Sequence, residues 1–369
     1  MRIYRRPRGF LAAACAAVSM SLLGCGRPES NTAAPGTSGS DKTVTAETPK
    51  SAPNTAPFVP PAGTFKAALV MSGSTSDNGW NAGAYKAFQA VKTDLKLGKD
   101  DAAYIDKQIA AGDQEKSLRA FATKKYALVF GHGSEYEAMA LKMEADFPQT
   151  LFVISSGRQV GKNTMPIVFQ LEDAAYMEGM VAAAMSKTGK IASVGAEESV
   201  PLKSIFKAFE EGAKAYKNNI TVLPPVYTGS WDDVGKAKQA TLALLDQGAD
   251  VIMQDVDSAA QGVFSAVQER AKTGKAVYAL GTNSDQNANA PDVILASAPI
   301  YSDKAFVAIA KAAKAGTLIP GNTPYGMKEG VVDFILNPKL KNQLPQGLSK
   351  SLDEARQRIV SGDFHVPKD

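Results

Sequence analysis

Two tryptophans serve a chain of 369 residues, and each lies in a polar stretch that follows an apolar run. The first stretch is Ser72-Gly73-Ser74-Thr75-Ser76-Asp77-Asn78-Gly79-Trp80-Asn81; the second is Thr228-Gly229-Ser230-Trp231-Asp232-Asp233. A large ring at a loop edge exposes apolar area unless something covers it. One indole in each half of the chain therefore suits a flat guest held between them, although each could instead pack beneath its own loop. Asp77, Asn78, Asn283 and Asp285 could read the polar edge of such a guest, or serve as helix caps and turn formers. His132 and Ser155 follow two further apolar runs.

Enzyme chemistry has little material. The histidines are His132 and the near-terminal His365, so any histidine-based triad depends on His132, and no Gly-x-Ser-x-Gly elbow accompanies it. His132 reads better as a loop hydrogen-bonding group facing a ligand than as a general base. Neither a Gly-x-Gly-x-x-Gly fingerprint nor a Gly-Lys-Ser/Thr phosphate loop is present. Asp255 and Asp257 flank one residue without a nearby histidine or cysteine to complete a metal site. No cofactor and no metal are expected. Asp232-Asp233 reads as a solvated helix start, with Asp232 as the cap.

These residues need a scaffold, and the rest of the sequence supplies its pattern. Short apolar runs, at 66–71, 126–130, 151–155, 191–195, 219–226, 250–254, 276–280 and 293–297, alternate with segments of helical period. Ala84, Phe88, Val91 and Leu95 form one such helical face, and Ile205, Phe209 and Ala213 another. Continuous apolar strands between helices predict an α/β fold in which parallel sheets carry helices on both faces. The roughly 305 residues after residue 64 exceed one such unit and predict two lobes. The expected division is 64–168 with 298–326, and 169–297 with 327–369. In sheets of this kind ligands bind beyond the carboxyl ends of the strands, where the polar stretches lie.

The first 63 residues have another character. A basic start to Arg8 precedes an apolar segment to Leu23 that is too short for a mature span, as in a secretion signal. Leu22-Leu23-Gly24-Cys25 resembles the bacterial lipoprotein cleavage box, which implies lipidation of Cys25 and a signal over 1–25. The following 38 residues, 26–63, are rich in Pro, Ser, Thr and Ala, cannot bury enough surface to fold, and read as a leash. Its reach is about 5–6 Å times the square root of its length. With Cys15 gone, the mature chain would have a single, lipidated cysteine and no internal disulfide. The +4 formal charge resides in Arg2, Arg5, Arg6 and Arg8, leaving zero beyond residue 25 (4 − 4) and no electrostatic support for nucleic-acid binding. The overall balance, 44% apolar and 21% charged, is that of a globular chain.

From Phe65 to about Leu336 the sequence resembles the basic membrane protein family of bacterial solute-binding lipoproteins, receptors of ABC importers that include purine-nucleoside binders. The resemblance rests on Asp77-Asn78-Gly79-Trp80-Asn81, Val129-Phe130-Gly131-His132-Gly133, Glu178-Gly179, Tyr227-Thr228-Gly229-Ser230-Trp231-Asp232 and Asn283-Ser284-Asp285-Gln286. It implies a two-lobed type I periplasmic binding protein, a monomer in the cell envelope that faces the periplasm or exterior and serves an ABC permease. It also implies a purine base held between Trp231 and either Trp80 or Tyr85, with Asp77 touching the ligand. Three departures bear on the ligand. Ser155-Ser156 replace an expected base-reading acid, Asn283 replaces an acid, and Ala298-Pro299-Ile300 stand where a lysine is expected. A nucleobase or another heterocycle thus competes with a nucleoside. A sugar receptor, a sensory lipoprotein feeding a signalling receptor, and an enzyme on the same scaffold are the rival readings, the last disfavoured by the shortage of histidine and cysteine.

Overall fold

The computed structural model describes residues 56–77 and 79–368. The signal segment, Cys25, the leash up to residue 55 and Asn78 lie outside the described residues. The chain joins the folded body earlier than its composition implies: Phe58 is buried, and its N–H donates to the Leu318 carbonyl at 2.7 Å.

The first run of elements is β1 (Ala67–Met71), α1 (Trp80–Asp94), β2 (Ala102–Ile105), α2 (Ala111–Thr123), β3 (Leu128–His132), α3 (Glu137–Met143), β4 (Leu151–Ser155) and β5 (Thr164–Phe169). After a crossing come α4 (Glu172–Met185), β6 (Lys190–Gly195), α5 (Val200–Tyr216), β7 (Thr221–Val222), β8 (Val226–Tyr227) and α6 (Val234–Asp246). The same group continues with β9 (Val251–Asp255), α7 (Ala260–Ala271), β10 (Tyr278–Asn283) and β11 (Ile294–Pro299). The chain then returns as α8 (Ser302–Lys314), packed on α1, and β12 (Thr323–Tyr325), and ends with β13 (Ile335–Leu336) and α9 (Leu348–Ser361), packed on α4.

Two sheets result, ordered β12-β5-β4-β3-β1-β2 and β13-β11-β10-β9-β6-β7, with β8 also pairing β6. Among the described residues every pairing of these strands is parallel except that of β13 with β11, which an antiparallel bridge between Ile300 and Val332 extends. The protein is thus α/β, with helices on both faces of each parallel sheet. Burial follows the pleat: Ala67, Leu69 and Met71 enter one core cluster, while Ala68 and Val70 enter the cluster on the opposite face. Both faces being covered, β1, β3, β4 and β9 are buried over their whole length and begin as apolar runs.

The differences from the sequence pattern have local causes. The run 219–226 forms two short strands because Pro224 and Pro225 offer no N–H to the ladder. The β2 strand, with Tyr104 exposed, sits at a sheet edge, where burial leaves a weaker apolar signature. Both β3 and β9 run further than their apolar residues, to His132 and Asp255, because the parallel register sets Met71 beside His132, His132 beside Ser155, and Gly195 beside Asp255.

Close backbone approach fixes α4 against α5. A Cβ on Gly179 would stand 2.0 Å from the Phe209 carbonyl oxygen, and one on Gly212 would stand 1.9 Å from that of Tyr176. Gly179→Ala should therefore lower unfolding stability by about 1–3 kcal/mol, read as a reduced urea midpoint at unchanged slope; an unchanged midpoint would mean the helix pair slides freely.

Candidate functional site

The carboxyl ends of both sheets face one cavity of about 690 Å³. The loops after β1, β3 and β4 line it from one side, and those after β6, β8 and β9 from the other. Among the described residues six non-glycine residues have positive φ, and three of them, Ser156 (59°), Asp257 (49°) and Asn283 (65°), line this cavity, so backbone strain concentrates there.

On the first side, the loop after β1 is organised by Asp77. Its Oδ1 accepts the N–H groups of Gly79 at 3.0 Å and Ala82 at 2.8 Å, and its Oδ2 accepts the Asn81 N–H and Nδ2–H, both at 2.9 Å. From two residues before the N-cap Gly79, Asp77 thus holds the free N–H groups of the first turn of α1. That cap presents the half-buried Trp80 to the cavity. One indole face stacks on the His132 imidazole, with centroids 4.1 Å apart, and its edge meets Phe169 at 5.7 Å.

His132 is fully buried and does not line the cavity. Burial pushes its pKa down to about 4, so the ring is neutral at physiological pH. Its Nε2–H donates to the Trp80 carbonyl at 3.1 Å, which leaves Nδ1 to accept the Ser155 hydroxyl at 2.9 Å. His132 and Ser155 therefore brace the tryptophan from below and do not line the cavity.

On the second side, Trp231 lines the cavity and is 37% exposed. Its loop is tied down by backbone and hydroxyl groups: the Trp231 carbonyl accepts from Ala259 N–H and Ser258 Oγ–H, and Ser230 Oγ–H donates to Asp232 Oδ1. Asp233, not Asp232, caps α6 by accepting the Lys236 N–H at 3.0 Å. Asn283 lines the cavity and donates through Nδ2 to Asp255 Oδ1 at 3.1 Å. Behind it, Gln286 binds Gln254 Nε2–H and Thr282 N–H in a buried network that holds the β10 end rigid.

Four of the expected contact residues, Asp77, Trp80, Trp231 and Asn283, converge on the cavity. Tyr85 does not; it packs against Tyr104 at 4.8 Å, because it sits on the α1 face turned to β2. Asp285 is exposed and closes a turn by accepting the Asn287 N–H. The cavity walls missed by sequence reasoning are Glu135, Phe169, Glu197, Asp255, Asp257 and Ile300. All six end or closely follow a strand, so strand-end position was the available signal; Asp255 and Asp257 were weighed only as metal ligands.

Asp257 joins the two sides. The Asp257 carboxylate reaches from the end of β9 to the start of α1, where its Oδ1 accepts the Trp80 N–H at 2.8 Å. Gly79 makes room for it, since a Cβ there would lie 1.8 Å from that oxygen. Burial, and then the Asp77 charge beside it, push the Asp257 pKa up to about 8. Burial likewise raises Asp255 to about 6. Beneath them Glu178 is wholly buried, and burial and the Asp255 charge hold its pKa well above the carboxylate range. Ser155→Ala should leave His132 Nδ1 unpaired and lower stability by about 1–3 kcal/mol in urea unfolding; no change would mean that the imidazole needs no brace.

Comparison with known proteins gives the cavity a context. Residues 64–369 match the family described as ABC transporter substrate-binding protein PnrA-like. Basic membrane protein D of Borreliella burgdorferi (strain JD1) is 28% identical over 307 residues, 82% of this chain and 87% of that protein. A purine-binding protein of Brucella abortus (strain 2308) is 30% identical over 311 residues, 82% of each chain. An ABC transporter solute-binding protein from Aeropyrum pernix K1 shares the fold, with a TM-score of 0.71 at 21% identity over 83% of this chain and 94% of that one.

Proposed function

As a chain that belongs to the PnrA-like family of ABC transporter substrate-binding proteins, a family of binding proteins that work outside the cytoplasm, this is a receptor for which we propose a purine-like ligand, nucleobase or nucleoside. The observation that carries the reading is the convergence of Trp80 and Trp231 on one cavity from opposite sheets. A planar base between two indoles buries both faces, and Asn283, Ser156 and Asp255 are placed to meet its polar edges. The Brucella relative described as purine-binding supports the same class.

In this reading 64–168 with 298–326 form one lobe and 169–297 with 327–369 the other. The connecting strands act as a hinge, and a guest that touches both sides stabilises the closed form more than the open one. An ABC permease then senses the closed monomer, which Cys25 tethers to the membrane by lipid; among the described residues no helix is long and apolar enough to cross it. Calorimetric titration of the lipid-free chain with adenine, guanine, adenosine, guanosine and inosine tests the ligand class. Saturable heat from at least one is expected. No heat from all five, or displacement only by ribose or galactose, would remove the purine reading.

A further inference from the structure

Six carboxylates line the cavity that holds the two indoles: Asp77, Glu135, Glu197, Asp232, Asp255 and Asp257. Among its described lining residues there is no lysine, arginine or histidine. Asp77 is satisfied by α1, Asp232 by Ser230, Asp255 by Asn283 and Asp257 by the Trp80 N–H. Glu135, which also accepts from the Ser72 hydroxyl and its own backbone N–H, and Glu197 are exposed and stand on opposite sides of the cleft, just after β3 and β6. Desolvation pushes the Glu135 pKa up, the hydrogen bonds from its own N–H and from Ser72 oppose the rise, and the Glu197 charge adds to it. Like charges brought together as the cleft closes oppose closure unless the guest offsets them.

The rest of the lining agrees. The Trp80 and Trp231 rings offer π faces, which attract a cation above the ring centre more strongly once water is displaced. Phe169, Leu202 and the aliphatic Ile300 complete a wall without a compensating positive group. Among the described residues no three Asp, Glu, His or Cys side chains gather closely enough to hold a metal ion.

We infer that the cleft selects a positively charged planar N-heterocycle, sandwiched by Trp80 and Trp231 and neutralised by Glu135 and Glu197. This rests on the interlobe cavity being the ligand site and, within the purine reading, ranks cationic members above neutral ones; anionic, phosphorylated ligands are repelled.

Two matched pairs test charge while holding shape nearly constant. 1-Methyladenosine is cationic at neutral pH and its isomer N6-methyladenosine is neutral; 7-methylguanosine is cationic at about pH 6 and guanosine is not. The methyl groups occupy opposite edges of the base, so a clash at one edge cannot spoil both comparisons. Thiamine adds a cationic ring system that is not a purine. In titrations of the full chain at low salt, at least one charged member should bind roughly ten-fold or more tightly than its neutral partner. That ratio should shrink at high salt and fall toward one in Glu135→Gln/Glu197→Gln. Thiamine binding without any purine binding would keep the charge inference and remove the purine reading. Neutral members binding as well as or better than both charged ones, or no binding by any cationic probe, would overturn the inference.

Discussion

Gly79→Ala should weaken ligand binding by ten-fold or more, although residue 79 carries no side chain to touch a ligand. An added Cβ would lie 1.8 Å from Asp257 Oδ1, far inside any real contact, and that oxygen holds the Trp80 N–H at 2.8 Å across the cleft. Asp257 is 9% exposed and has little freedom to step aside, so the strain is relieved by parting the two sides. Raising the closed state by about 1.4 kcal/mol relative to the open one costs a factor of ten in affinity when only the closed form holds the guest. Asp257→Gly in the same chain removes the obstructing carboxylate and suits the left-handed φ of 49° at that position. The double variant should therefore recover part of the lost affinity; no recovery would mean that Gly79 acts through α1 instead of through closure.

The same contact makes ligand-free closure depend on pH, and the sign follows from the direction of the shift. Burial, then Asp77, push the Asp257 pKa up to about 8 in the closed form, with Asp255 adding to the effect and the Trp80 N–H opposing it. An opened cleft returns the carboxyl to water and to an ordinary value of about 4. Closing takes up a proton between those two values, so closure is favoured at the acid end of the window and weakens as pH rises toward about 8. Small-angle scattering of the ligand-free chain should show a radius of gyration that grows over this range, and Asp257→Asn should flatten the curve. A flat curve in the unaltered chain would show that Asp257 stays enclosed when the cleft opens.

Trp80→Ala and Trp231→Ala should separate binding from stability. Each removes a stacking platform worth about 1–3 kcal/mol per base. Trp80 also covers His132 and meets Phe169, so its loss opens a hole in the first side and lowers stability as well. Trp231 is 37% exposed, and the bonds that hold its loop run through its carbonyl, which alanine keeps. Calorimetry and urea unfolding together should show affinity lost in both variants and stability lost mainly in Trp80→Ala. A Trp231→Ala chain that unfolds earlier yet binds normally would make that indole a packing residue.

The alternation of apolar runs with helical faces, the polar strand ends and the placement of one tryptophan in each half were legible before any coordinates. All are local consequences of burial, because a strand covered on both faces must be apolar over its length and a ligand-facing loop must be polar. The motif from Asp77 to Asn81 was legible as well, and so was the family. The division of labour within the site was not. His132 and Ser155 follow strands as a ligand contact would, yet the parallel register of β3 and β4 sets them under Trp80, where a hydrogen bond to each other uses their polar atoms. Tyr85 lies five residues from Trp80 on the same helix, but at about 100° per residue it faces a different neighbour. Spacing along the chain also carries no trace of the approach of Asp257 to Trp80, 177 residues apart. That contact depends on the angle between two sheets, which packing at the crossings sets and which no residue type or period records.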